Sequence, residues 1–104
     1  MIKVAEVDHR RADGVHHRLV AGVEEAYSDV EAARDALPVL RRALEAAVAN
    51  YEQASARFSA GVGNAIEMAD AEELRTSAEI EAAQGTFEVA RARARLGRFI
   101  AEAT

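Results

Sequence analysis

Cysteine is absent from the 104 residues, tryptophan is absent too, and proline occurs once. Without cysteine there is no disulfide framework and no thiolate metal site. Aromatic residues make up only 5% of the chain, while half of it counts as hydrophobic, much of that being alanine. Such a composition favours helices in close contact over a thick globular core. No apolar run approaches the roughly 20 residues of a membrane-spanning helix. There is no excess of basic charge either. The formal net charge is -5, so no overall positive field points to nucleic acid. The first residues, Met1-Ile2-Lys3-Val4-Ala5-Glu6, lack the long apolar region of a signal peptide. The expectation is a soluble, single small domain with no export signal as written.

What the chain does contain is a helical pattern interrupted once. The run Arg57-Phe58-Ser59-Ala60-Gly61-Val62-Gly63-Asn64-Ala65-Ile66-Glu67 reads as a stop, a tight turn and a start. Gly61 supplies a residue able to take positive φ, as helix C-termini often require. Asn64 precedes Glu67 by three residues, the spacing of a capping box. In that arrangement the Asn64 side chain accepts from the Glu67 N–H, and the Glu67 carboxylate reaches back to the Asn64 N–H. A connection this short joins antiparallel neighbours. The fold expected is therefore all-α: one long antiparallel coiled-coil hairpin over 1–104, with helices at about 3–59 and 65–102.

From Val23 to Phe58 apolar residues alternate between spacings of three and four. One set is Val23, Val30, Leu37, Leu44, Tyr51 and Phe58; the other is Leu19, Ala26, Ala33, Leu40, Ala47 and Ala54. These are the a and d positions of a heptad repeat, which predicts a left-handed supercoil around a partner helix. Run backwards, the register places Ile2, His9 and His16 at a and Ala5 and Ala12 at d, in a stretch expected to be helical but frayed at residues 1–14. Seven helical residues rise roughly 10 Å, too far for His9 and His16 to share one metal ion, and His17 points elsewhere. Pro38 falls inside the register and is expected to kink the helix near Arg34–Pro38.

The second helix carries two stripes. One is Ala78, Ala82, Gly85, Val89, Ala92, Leu96 and Phe99; the other, offset, is Ile80, Ala83, Phe87, Ala90 and Ala94. Two stripes need two partners. The first helix is one, and self-association through the Ile80/Phe87 stripe is the expected source of the other. Arg91, Arg93, Arg95 and Arg98 crowd the end of this helix, where they suit its dipole. No nucleophile–base set and no pocket-forming pattern appears, so no enzyme activity, cofactor or metal is expected.

The run from Arg57 to Ala71, with its aromatic, Gly-containing turn, acid and Asp70-Ala71, resembles the TolC-like outer membrane factor (outer membrane efflux protein) family. Ala78-Glu79, Gln84-Gly85-Thr86-Phe87 and Ala92-Arg93-Ala94-Arg95-Leu96 follow in the same register. Upstream, the segment from Leu19 to Val30 is similar to the family's Val-x-x-Ala-Tyr-x-Asp-Leu run. The resemblance covers roughly residues 18–101 and corresponds to the helical hairpin of the family's second repeat. It implies a trimeric duct with an outer-membrane β-barrel and a periplasmic helical barrel, working with an adaptor (membrane fusion) protein and an inner-membrane pump. Gly61, Val62, Gly63 and Asn64 would form the adaptor-docking tip at the periplasmic end. Glu67 and Asp70 would fall among the acids that ring the channel entrance. Ala69 stands where the family usually has Leu, implying looser packing there. With barrel strands and first repeat absent, the chain is read as a fragment, a truncated product or a stand-alone derivative. Two other readings are a stand-alone coiled-coil assembly module and a small secreted hairpin protein. The latter, as in the WXG family, is expected to carry Trp-x-Gly at its turn.

Overall fold

The structure, a computed structural model, describes the backbone of residues 4–103 and the side chains of residues 10–103. Ile2 and the side chains of Ala5 and His9 lie outside the described residues. Two helices make up the fold, α1 (Val4–Ser59) and α2 (Ala65–Ala103), joined by the five residues from Ala60 to Asn64. The protein is a helical hairpin, with no strand among the described residues. Pro38 lies inside α1, which continues through it. Pro38 sits on the exposed face, so water can reach the Arg34 carbonyl that its missing N–H leaves unpaired.

The chain forms two compact units. One comprises residues 33–88 and the other the remainder, residues 1–32 with 89–104. Within residues 33–88, α1 turns Ala33, Leu37, Leu40, Leu44, Ala47, Tyr51 and Ala54 inward, all buried or half-buried. Facing them on α2 are Met68, Ala71, Ala78, Ala82 and Gly85. The heptad spacing thus holds on both helices, as the sequence predicts. Small residues on α2 let α1 come close. A Cβ on Gly85 would lie 2.5 Å from Leu40 Cδ1 and 3.3 Å from Leu37 Cδ1.

One seam position is polar. Arg75 follows Met68 and Ala71 at heptad spacing, and its guanidinium stacks over the Tyr51 ring, 4.0 Å from the centroid. Its Nε also lies 3.6 Å from Glu79 Oε1, one turn along the helix. Half-buried arginine is accommodated here because the ring face accepts its charge while its long stem packs in the seam.

In the other unit the same register continues through Leu19, Val23, Ala26 and Val30 on α1, and Val89, Ala92, Leu96 and Phe99 on α2. Ala26 and Val30 are buried, as is Val89. The Phe99 ring fills the space beside Gly22, where a Cβ would come within 2.6 Å of Cε1. Arg95 bridges the helices, with Nη1 donating to Asp29 Oδ2 at 2.8 Å and Nη2 lying 3.7 Å from Glu25 Oε1. The expectation that the arginines serve the α2 dipole is corrected here. The last turn of α2 holds no basic residue, and Arg95 is drawn sideways to two carboxylates of α1, which offer full charges at closer range than the helix end.

Phe58 is a second correction. It stands at an a position but is about half exposed, because α1 ends one residue later and only the turn lies beyond it.

Replacing Pro38 by Ala restores a backbone donor and removes the ring's clash. The Pro38→Ala variant should be more stable by about 1–3 kcal/mol, seen as a higher urea midpoint with an unchanged slope.

Candidate functional site: the hairpin tip

The tip is built from two helix ends that cap themselves. At the end of α1 the Gly61 N–H donates to the Phe58 carbonyl at 3.1 Å and the Val62 N–H to the Arg57 carbonyl at 3.0 Å. This pair of bonds is the Schellman arrangement, and it requires the intervening residue to be left-handed. Gly61 has φ 78° and is the residue that adopts it. The Gly63 N–H also reaches the Arg57 carbonyl, at 3.0 Å. Three turn donors are thereby gathered onto the last carbonyls of α1, which otherwise lack partners.

Asn64 begins α2. Its Oδ1 accepts from the Glu67 N–H at 2.8 Å, and its own carbonyl accepts from the Met68 N–H at 3.2 Å. This half of the expected capping box is present. The reciprocal half is not: the Glu67 carboxylate faces Arg57 instead, with Oε2 3.8 Å from Nε. A full opposite charge outcompetes a backbone N–H for that carboxylate. Arg57 Nη2 also extends toward the Val62 carbonyl, at 3.5 Å. Arg57 thus spans the turn from the last turn of α1 to the first turn of α2. A Cβ on Gly63 would lie 3.1 Å from Arg57 Cβ and 3.2 Å from Glu67 Oε2, so a glycine there leaves room for the pair.

The tip presents apolar side chains outward. Val62 is 67% and Ile66 73% exposed, and Phe58 stands beside them in sequence, half exposed. Beside the turn, Asn50, Gln53, Arg57, Glu67, Asp70 and Leu74 line an open groove. Glu67 and Asp70 both reach it, as their three-residue spacing on one helix requires. Among the described residues Asp70 forms no ion pair, whereas Glu67 is engaged by Arg57.

The sequence-derived tip residues Gly61, Val62, Gly63 and Asn64 are therefore brought together in one turn, and Glu67 and Asp70 onto one groove. Arg57 was missed as part of this site. Its signal was available: a basic residue and an acid bracketing the turn, ten positions apart. His16 and His17 are exposed. His17 Nδ1 donates to the Asp13 carbonyl at 2.7 Å, and the two rings meet edge-on with centroids 6.2 Å apart. Among the described residues no group of three or more His, Cys, Asp or Glu is placed to hold a metal ion.

The fold is a two-helix hairpin with a self-capped tip whose Val62 and Ile66 side chains face outward. The residues match the outer membrane efflux protein family model over 4–102, nearly the whole chain. The chain belongs to that family, which is one of efflux channels and not of enzymes. No curated protein and no solved structure matches it significantly. No helix among the described residues is long and apolar enough to cross a membrane.

Exposed ion pairs contribute little, a few tenths to about 1 kcal/mol, whereas an N-cap side chain contributes about 1 kcal/mol and a β-branched residue at positive φ costs about 1–3 kcal/mol. Stability should therefore fall in the order Gly61→Val, Asn64→Ala, Arg57→Ala, with the last near neutral in thermal or urea unfolding. An Arg57→Ala loss as large as that of Gly61→Val would show that the ion pair, not the backbone, holds the turn.

Proposed function

We propose that this hairpin serves as a periplasmic segment of a TolC-like efflux or secretion duct. Its tip at Gly61–Asn64 docks the adaptor protein, and Glu67 with Asp70 contributes to the ring of acids at the entrance. The observation that carries this reading is the family match across both helices and the turn, joined to a tip whose backbone is fully organised and whose Val62 and Ile66 side chains remain uncovered. An organised turn presents its apolar residues to a partner with little entropy left to lose on binding. The family context supplies the partners: the other hairpins of a trimeric duct, a periplasmic adaptor and, through it, an inner-membrane pump.

Charge supports the entrance assignment. Residues 33–88, which include the tip, hold ten Asp and Glu against five Arg, so this half of the chain accounts for the whole net charge of -5. Repeated around a threefold axis, acids on the groove side of α2 would attract cations and disfavour anions. The two acids are not equivalent. Glu67 shares its charge with Arg57 and lends its N–H to the Asn64 cap. Asp70 has neither tie and should carry the larger part of any selectivity.

In a complete duct reconstituted in a planar bilayer, Glu67→Gln with Asp70→Asn should lower cation selectivity while helix content scarcely moves. Asp70→Asn alone should reproduce most of the change. Unaltered selectivity combined with reduced stability would make both acids structural and remove them from the entrance. Val62→Asp should weaken adaptor binding at least tenfold in the same background, without altering single-channel conductance.

A further inference from the structure

Residues 33–88 hold the whole excess of acid, so the other unit, residues 1–32 with 89–104, is neutral, with eight basic residues and eight acids. Its charges are not evenly mixed. Between residues 10 and 23 stand Arg10, Arg11 and Arg18 against one acid, Asp13. The next eight residues hold Glu24, Glu25, Asp29 and Glu31 and no base. At about 100° per residue, Arg10, Arg11, Gly14, Val15 and Arg18 fall within roughly 140° of α1, and Asp13 falls outside that arc. These five residues line one open groove. The three arginines and Val15 are exposed, and nothing lies within 4 Å of where a Cβ on Gly14 would stand.

Among the described residues none of these three arginines forms an ion pair. Arg11, Arg18 and Glu25 repeat at seven-residue spacing, so Glu25 is the next charge along that row. It is met from α2 by Arg95, whose Nη2 lies 3.7 Å from Glu25 Oε1 while Nη1 donates to Asp29. The acids that follow the basic face are thus answered by the other helix, and the arginines keep their charge for something outside the chain. Their layout says what fits. Arg11 and Arg18 stand roughly 10 Å apart along the axis, and an open helix face cannot close around one small anion. An extended array of anionic groups can meet all three, and guanidinium pairs with phosphate through two hydrogen bonds. Val15 sits among the charges, which suits a surface with an apolar layer beneath its phosphates. A nucleic acid has no such layer, and residues 10–26 contain no Phe, Tyr or Trp to stack on bases.

We propose that this face of α1 binds the phosphate headgroups of an anionic lipid bilayer. The helix lies along the surface, with Arg10, Arg11 and Arg18 on phosphates and Val15 at the boundary between headgroups and acyl chains. The acid-rich residues 33–88 are repelled by the same surface, which confines contact to this face. The contact is peripheral, because no helix among the described residues is long and apolar enough to cross a membrane. This inference rests on the arginine face alone. The duct experiments above read the tip and its acids, so either reading can fail without the other.

Flotation of the full chain with vesicles tests this. Vesicles of phosphatidylglycerol and phosphatidylcholine in equal parts should bind it at least tenfold more tightly than phosphatidylcholine alone, and about 0.5 M salt should release it. Each arginine should contribute about fivefold, so Arg10→Gln, Arg11→Gln and Arg18→Gln together should weaken binding about a hundredfold. Arg34→Gln, Arg41→Gln and Arg42→Gln together change the net charge equally at three other exposed positions, and should weaken it less than threefold. Circular dichroism should show the same helix content in both triple variants. The proposal is overturned by equal binding to phosphatidylcholine alone or by equal losses in the two triple variants. Tighter binding to duplex DNA than to the vesicles at equal phosphate would overturn it in favour of nucleic acid. Release from the vesicles by millimolar inorganic phosphate would overturn it in favour of a discrete anion site.

Discussion

Everything in this molecule depends on how closely the two helices approach. Alanine at alternate seam positions of α1 and alanine or glycine along α2 bring the backbones together, and the leucines of α1 reach the α2 backbone itself at Gly85. Dispersion falls off steeply with separation, so close approach of small residues gains contact without bulk. The same choice limits the apolar mass that can be hidden. A seam of small side chains buries little area, and area is what the hydrophobic term scales with. The larger apolar residues, Ile80 and Phe87 among them, are left on the outside. A close seam and an uncovered outer face are two consequences of one composition.

The turn is arranged so that this seam can begin immediately. Schellman bonds close α1, Asn64 opens α2, and only five residues separate the helices. Because the caps satisfy the backbone locally, the tip needs no cover from the rest of the protein. Its Val62 and Ile66 side chains stand uncovered. Arg57 adds a modest tether across the turn. It ties up Glu67 and leaves Asp70 as the acid without a partner at the groove. The two arginines nearest the seam follow a common pattern. Arg75 lies over Tyr51 and Arg95 over Phe99, each giving its charge an aromatic face and a nearby carboxylate. A long side chain with a polar end is thereby fitted between helices that have little other bulk to offer.

The sequence by itself determined the helices, the turn and the register. Periodicity is a property of the chain, and spacings of three and four set which residues share one face of a helix. Gly61 as the left-handed residue was legible because only glycine takes that conformation at no cost, and it does so at φ 78°. Asn64 as the N-cap was legible from spacing alone. The family was legible too, from the Arg57–Ala71 run and its continuation in register. What only the tertiary structure decided is where each charged side chain goes. The Glu67 carboxylate had a backbone donor three residues away and an arginine across the turn, and the structure gives it to the arginine. Arg95 had a helix end ahead and two acids on α1 beside it, and it went to the acids. Phe58 obeyed the heptad but stays about half exposed, since α1 ends one residue beyond it. The physical reason is common to all three. Backbone conformation follows from local steric preference and hydrogen bonding, which a linear sequence encodes directly. The partner of a long charged side chain, or the cover over an aromatic ring, depends on which atoms the other helix brings within a few ångströms.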